Sequence, residues 1–116
     1  MHIRRTDHLD AIEESPLDAF ITAMREKLDA EPGTNYFLAT DDEQVEFLLM
    51  KLFPTKIIVH KKEFTRQSIQ GIKDAVVDLY CLSATAGIYG SYFSSFSDIA
   101  ARIGNIPLHV IRRPNP

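Results

Sequence analysis

The chain has 116 residues, enough for one domain with a single core and too few for two independent lobes. Its 13 Lys and Arg against 16 Asp and Glu give a formal net charge of −3, which argues against nucleic acids and acidic membranes as partners. No apolar run approaches the roughly 20 residues of a membrane span, and Met1 leads directly into charged residues, which predicts no signal peptide. The lone Cys81 excludes an internal disulfide and fits a reducing, cytoplasmic location.

Strand-like and helix-like patterns alternate along the chain. Short runs of β-branched and apolar residues predict strands, and apolar residues at helical spacing predict helices. Predicted strands begin at His2 and then cover residues 36–39, 56–60, 86–90 and 108–111; predicted helices cover 17–28, 45–52, 69–83 and 96–103. We expect the longest helix to face the core with these side chains: Ile72, Val76, Leu79, Tyr80 and Leu82.

Three helix starts have a candidate N-cap. Ser15 precedes Pro16 and the first helix, Thr40 or Asp41 precedes the second, and Ser95 with an aspartate three residues later fits a capping arrangement for the last. Each side chain is expected to accept a hydrogen bond from a first-turn amide.

Five strands alternating with four helices imply a three-layer αβα domain over residues 1–116, with a parallel sheet covered on both faces. Right-handed crossovers favour the strand order 3-2-1-4-5 and a switch point between strands one and four. Residues 4–7 and 91–95 follow those two strands. They are therefore expected to meet at the carboxyl edge of the sheet.

The two segments carry groups that suit an anion. Arg4 or Arg5 offers a guanidinium, and the turn before the last helix supplies serine hydroxyls beside exposed helix amides. A diphosphate is the natural ligand of such a site. The alternative is that the arginines form surface ion pairs and the serines cap a helix or face water.

Four further polar residues have competing interpretations. Asp78 lies in an apolar helical stretch and needs a partner, which is either a ligand NH group or Lys73, a serine or the backbone. Asp41 and Asp42 suit a metal ion or, as is commoner, a helix cap with first-turn charge. His2 is either a packed strand histidine or a ligand contact.

Four ordered segments resemble the motifs of the GDP-fucose fucosyltransferase superfamily. That superfamily includes the α1,6-fucosyltransferases, the nodulation fucosyltransferases, the α1,2-fucosyltransferases and the protein O-fucosyltransferases. The similarity covers about residues 1–111. The segments are His2-Ile3-Arg4-Arg5-Thr6-Asp7, Phe37-Leu38-Ala39-Thr40-Asp41-Asp42, residues 71–83 from Gly71-Ile72-Lys73 to Cys81-Leu82-Ser83, and Gly90-Ser91-Tyr92-Phe93-Ser94-Ser95-Phe96-Ser97.

This resemblance implies one Rossmann-like half of a GT-B glycosyltransferase, inverting and independent of metal, with GDP-fucose as donor. Arg4 would hold the β-phosphate and stabilise its developing charge, and Ser94 and Ser95 would bind the same diphosphate. His2 and Asp78 match positions that recognise guanine. The remaining expected donor contacts lie in the same motifs: Arg5, Asp7, Asp41 and Asp42.

The resemblance places an acid/base carboxylate shortly after the first motif, where Glu13 or Glu14 would deprotonate the acceptor hydroxyl. Acidic charge ahead of a helix N-terminus is the alternative for both. His8 lies where it would donate to the departing phosphate.

A GT-B enzyme has two Rossmann-like domains, and this sequence has room for one. The chain is therefore either a fragment of a larger enzyme or a half completed by another chain, and a sheet face or edge left exposed by the missing lobe would favour a homodimer. Otherwise it is a free-standing, non-catalytic module that binds a guanine nucleotide or phosphate. A flavodoxin-like or receiver-like interaction domain is a third class, although receivers need an acidic pair after strand one and a lysine after strand five.

Overall fold

The computed structural model describes residues 1–5, 12, 14–60, 69–92 and 94–113. Strands and helices alternate within these residues. They are β1 (His2–Ile3), α1 (Leu17–Ala30), β2 (Tyr36–Thr40), α2 (Glu43–Leu52), β3 (Ile57–Val59), α3 (Ile69–Ser83), β4 (Ile88–Ser91), α4 (Ser95–Gly104) and β5 (Leu108–Ile111).

The strands form one parallel sheet in the order β3-β2-β1-β4-β5, which confirms the predicted α/β fold and topology. His2 is paired with Ala39 of β2 on one side and with Gly90 of β4 on the other. The carboxyl ends of β1, β2 and β4 therefore lie side by side, and the switch point falls between β1 and β4.

Helices cover both faces of the sheet. Alternate residues of β2 point to opposite faces, so that Leu38 packs with α1 and α2 whereas Ala39 packs with α3 and α4. The first core contains Ile3, Phe20, Met24, Leu38, Val45 and Leu49, and the second contains Ala39, Leu82, Ile88, Ala100 and Ala101. No helix among the described residues is long and apolar enough to cross a membrane.

The orientation predicted for α3 is wrong for three residues. Ile72, Val76 and Tyr80 are 60%, 48% and 59% exposed, whereas Asp74 and Asp78 are buried. The sequence pattern misleads here because α3 has apolar residues on several sides and Asp74 finds a partner outside the helix. Asp74 accepts from Gln70 and lies 3.0 Å from His60 Nε2, which ties the helix to the end of β3.

The caps predicted at Ser15, at Thr40 or Asp41, and at Ser95 are wrong, whereas the cap considered for the Asp41–Asp42 pair is present at Asp42. The N-cap of α1 is Pro16, and the N-cap of α4 is Ser94, whose side chain makes no capping hydrogen bond. Asp42 caps α2 by accepting from the Gln44 amide at 2.9 Å. Ser15 and Ser94 thus keep their hydroxyls for other partners, as described below.

Candidate functional site

The opening strand and the serine-rich turn meet at the carboxyl edge of the sheet, as the strand order predicted. The Arg4 amide donates to Ser91 Oγ at 2.9 Å, and this hydroxyl lies 3.5 Å from the carbonyl oxygen of His2. Ser91 is 1% exposed, so it is a fixed part of the scaffold. It joins the last residue of β4 to the backbone on both sides of Ile3.

His2 and Ser94 form the next layer of the site. The His2 ring packs against Phe96 with centroids 4.7 Å apart, and its Nδ1 lies 3.4 Å from Ser94 Oγ. Because the Ser94 side chain makes no capping bond, it leaves the first-turn amides of α4 for another acceptor. An imidazole, a hydroxyl and a helix N-terminus therefore face one place at the switch point.

Arg4 adds an unpartnered donor to this edge. The residue is half-buried, and its Nε is buried without a hydrogen-bond partner in the described structure. A buried donor left without an acceptor costs roughly 1–3 kcal/mol, more when it is charged. Binding of an anion would satisfy this donor at the place that was predicted for a diphosphate.

Arg5 is turned into the protein. Its guanidinium donates to the carbonyl oxygens of Arg4 at 3.0 Å and Ser15 at 2.8 Å, and its amide donates to Asp41 Oδ1 at 2.8 Å. Burial lowers the pKa of Arg5, while Asp41 and Asp42 oppose this shift. These contacts support the loops of the site, and of the two arginines they favour Arg4 as the group that meets a ligand.

Ser15 is a structural residue that the sequence analysis assigned to a helix cap. Its hydroxyl donates to the carbonyl oxygen of Ile111 and accepts from the Tyr92 amide at 2.7 Å. The side chain is fully buried. Ser15 therefore fixes the turn after β4 and the end of β5 through one atom. In the sequence, the Ser15-Pro16 pair predicted that this hydroxyl would bond a first-turn amide of the helix, whereas its partners lie after β4 and at the end of β5.

Glu14 also connects to the end of β5. It pairs with Arg112 at 2.8 Å and Arg113 at 3.3 Å, and Arg112 lies over the Tyr92 ring at 4.3 Å. The hydrogen bond from Arg112 is the main cause that lowers the pKa of Glu14. A carboxylate stabilised in this way is a poor general base. The other predicted residues of this segment, Asp7, His8 and Glu13, lie outside the described residues.

The three other predicted aspartates lie on β2–α2 and α3. Asp41 binds the Arg5 amide and Asp42 caps α2, so both shape the loop that follows β2. Asp78 is 4% exposed on the inner face of α3, one turn after Asp74. Among the described residues, no group of three or more His, Cys, Asp or Glu side chains could hold a metal ion.

A cavity of about 320 Å³ lies at the opposite edge, where the strands begin. Its lining includes Tyr36, Ile88, Tyr89 and His109 and none of the predicted site residues. The rings of Tyr89 and His109 are 5.8 Å apart, and the amino group of Met1, another lining residue, donates to the Phe37 carbonyl oxygen at 2.7 Å. The chemistry of the carboxyl edge, rather than this cavity, identifies the candidate site.

Comparisons with known proteins agree with the motifs. The chain is similar to two crystal structures of NodZ α-1,6-fucosyltransferase, one co-crystallised with GDP and one soaked with GDP-fucose. Against the first, the identity is 26% and the TM-score 0.61, over 85% of this chain and 32% of that one. Against the second, the identity is 25% and the TM-score 0.65, over 99% of this chain and 41% of that one.

No family model and no curated protein matches the chain. The structural similarity confirms the predicted resemblance to the fucosyltransferase superfamily and the Rossmann-like α/β fold. The chain spans about a third to two fifths of the length of these structures.

Proposed function

We propose that this chain is the GDP-sugar-binding domain of a fucosyltransferase-like glycosyltransferase, with GDP-fucose as its donor. The observation that carries the proposal is the unpartnered, buried Nε of Arg4, a residue whose backbone amide is bound to Ser91 where the turn to Ser94 begins. The similarity to structures of NodZ with GDP and GDP-fucose supports the same ligand. Residues 1–116 then form one Rossmann-like half of a GT-B fold.

The phosphate end of the donor lies between β1 and β4 in this proposal. Arg4, Ser94 and the amide of Ser95 bind the diphosphate, where a guanidinium and a helix N-terminus both favour negative charge. As the bond between the sugar and the β-phosphate breaks, charge accumulates on the phosphate oxygen. The Arg4 guanidinium stabilises that charge without a metal ion.

The nucleoside end lies along the inner face of α3. Asp78 accepts from the NH groups of guanine, and His2 contacts the same base. Asp41 and Asp42 support this pocket from the loop after β2, together with Arg5, whose guanidinium is already bound to the backbone. Asp7, which belongs to the same motif as Arg4, completes the proposed donor contacts.

Transfer requires an acceptor and a base. In an inverting reaction the acceptor hydroxyl attacks the anomeric carbon, GDP leaves from the opposite side, and a carboxylate takes the hydroxyl proton. Glu13 is our candidate for that carboxylate, since Glu14 is paired with two arginines. The acceptor-binding half comes from another part of a longer chain or from a partner.

The proposed location is the cytoplasm, where the lone cysteine would stay reduced.

Calorimetric titration tests the proposal. GDP should bind in EDTA, whereas ADP and UDP should bind at least tenfold more weakly. Arg4→Ala should weaken GDP about 10- to 100-fold, the equivalent of one charged hydrogen bond. Arg102→Ala is the matched control, because Arg102 is exposed and paired with Asp98 on α4. Equal binding of the three nucleotides, or no effect of Arg4→Ala, would contradict the proposal.

A non-catalytic GDP-sugar-binding module is the second candidate, since Glu14, the candidate base within the described residues, is paired with two arginines. It predicts the same titration results. The two candidates differ in turnover: release of GDP from GDP-fucose in the presence of acceptor glycans supports the enzyme, and intact GDP-fucose with every acceptor supports the module.

A further inference from the structure

Helix α3 has an apolar outer face although it buries two carboxylates on its inner face. A helix that separates core from water normally shows the reverse arrangement. The exposed fractions on the outer face are 75% for Ile69, 60% for Ile72, 48% for Val76, 39% for Val77 and 59% for Tyr80. Asp74 and Asp78 are 5% and 4% exposed, so Lys73 supplies the charge on the outer surface of this fully described helix. Water is an unfavourable neighbour for such a face.

The apolar surface continues onto α4. Gly104 of α4 lies directly against the carbonyl oxygen of Ser83, which brings the two helices into close contact. Ile99 and Ile103 are 46% and 47% exposed on α4. We call the combined surface the α3–α4 face; it consists of Ile69, Ile72, Val76, Val77, Tyr80, Ile99 and Ile103.

The size of the α3–α4 face matches what a stable dimer needs. From the exposed fractions, its seven side chains present on the order of 700 Å², close to the roughly 800 Å² that each partner buries in a standard interface. The largest apolar patch on a monomer is usually about 300–600 Å². The face is therefore large enough to sustain association.

The spacing of the apolar residues suits a second helix of the same kind. Ile69, Ile72, Val76 and Tyr80 follow one another at intervals of three, four and four residues, the stripe that packs helix against helix. Two-fold dimers use one patch on both subunits and are the commonest oligomers. We propose that a second copy of this chain packs its α3–α4 face against the first, with the two α3 helices crossing near Val76.

Helix α2 offers a competing surface and hence a control. Phe47 is 73% exposed, more than Ile72, Val76 or Tyr80. Leu48, Met50 and Leu52 on the same helix are 38%, 44% and 38% exposed, less than most residues of the α3–α4 face. Phe47→Glu changes an exposed apolar side chain to a charge on the opposite face of the sheet from α3. It should leave a dimer at the α3–α4 face intact.

Sedimentation equilibrium tests the interface. The wild-type chain and Phe47→Glu should sediment at twice the chain mass at about 50 μM, and Val76→Glu and Val76→Lys should each sediment as monomers. An equimolar mixture of Val76→Glu and Val76→Lys should recover at least half of the dimer, because opposite charges then meet near the two-fold axis. A monomeric wild type overturns the proposal, as does a dimer that survives Val76→Glu or is lost in Phe47→Glu.

A measurement on the wild type guards against variants that fail to fold. Hydrogen exchange at about 1 μM and 50 μM should show concentration-dependent protection in peptides from α3 and α4, with no change in α1 and α2. Protection that is independent of concentration, or confined to α2, overturns the proposal. Both experiments omit nucleotide, so their outcome is separate from that of the GDP titration.

Discussion

Arg4 and Ser91 are 87 residues apart in sequence, and the amide of the first donates to the hydroxyl of the second at 2.9 Å. This hydrogen bond crosses the switch point of the sheet and fixes the turn that leads to Ser94. The proposed phosphate site depends on both ends of this contact. Variants near it should separate scaffold effects from ligand effects.

Ser94 and Asp42 allow that separation. Each is the N-cap of its helix, but only the Asp42 side chain makes a capping hydrogen bond. Ser94→Ala should change the melting temperature by less than about 2 °C yet weaken GDP binding about tenfold. Asp42→Ala should lose about 1 kcal/mol of stability, roughly 4 °C in a domain of this size. Thermal melts and calorimetry of both variants check this. A large loss of stability in Ser94→Ala would show that its hydroxyl serves the fold.

Ser15→Ala should destabilise the protein by about 2–4 kcal/mol, because it removes the hydroxyl that bonds the part-buried Tyr92 amide and the buried Ile111 carbonyl. Urea unfolding measures the loss. Ser83→Ala is the control, since that hydroxyl bonds the Tyr80 carbonyl at the exposed end of α3, and its loss should be below about 0.5 kcal/mol. Equal losses in the two variants would remove the structural role assigned to Ser15.

Gly90→Ala should be destabilising by about 1–3 kcal/mol and should also weaken GDP binding. An added Cβ would lie 2.7 Å from Ser97 Oγ and 2.9 Å from its Cβ, which forces α4 away from β4 beside the site. Gly33→Ala meets nothing within 4 Å and should be neutral. Unfolding and titration of both variants give the comparison; a neutral Gly90→Ala would mean that α4 has room to move.

Asp78→Asn tests base recognition. The amide keeps the shape of the carboxylate but offers one acceptor oxygen in place of two. GDP should bind about tenfold more weakly, whereas IDP, which lacks the exocyclic amine of guanine, should be less affected. The ratio of GDP to IDP affinity measured by calorimetry should therefore fall towards one. An unchanged ratio would assign Asp78 to the helix interior alone.

We expect the free energy of unfolding to fall at alkaline pH because of the buried phenol of Tyr36. Burial raises the pKa of its phenol from 10.0 to about 12, and the hydroxyl donates to the carbonyl oxygen of Met24 at 2.9 Å. The folded state therefore keeps the proton that the unfolded chain loses. This contribution is complete below pH 10 and disappears as the pH rises towards 12. Urea unfolding at pH 9 and 11 should show a larger loss for wild type than for Tyr36→Phe; equal losses would contradict the shift.

The sequence was sufficient for the fold because its local signals agree with one another. β-Branched runs such as residues 57–59, stops such as Pro32-Gly33 and the right-handed crossover rule all favour one sheet order. The meeting of Arg4 with the turn after β4 followed from that order. No side-chain detail was needed to predict it.

The sequence was insufficient to predict the role of side chains whose hydrogen-bond partners are distant in the chain. Ser15 has the local pattern of a cap, but its hydroxyl bonds residues 77 and 96 positions away. Apolar residues on several sides of α3 did not show which face is buried, because the partner of Asp74 outside the helix is His60, at the end of β3. Residue type and position left Arg4 or Arg5 as the ligand group and the resemblance favoured Arg4; the buried Arg5 guanidinium, bound to two backbone carbonyls, agrees with Arg4.

The first strand is only two residues long. Had it continued in register through residues 4 and 5, main-chain pairing with both neighbours would have sealed the middle of the sheet at this end. Its brevity lets the backbone leave the ladder at Arg4, where a side-chain hydroxyl replaces the missing carbonyl acceptor. The early stop of the central strand thus frees residues 4 and 5 from the main-chain ladder, so that their amides bond to the side chains of Ser91 and Asp41 instead.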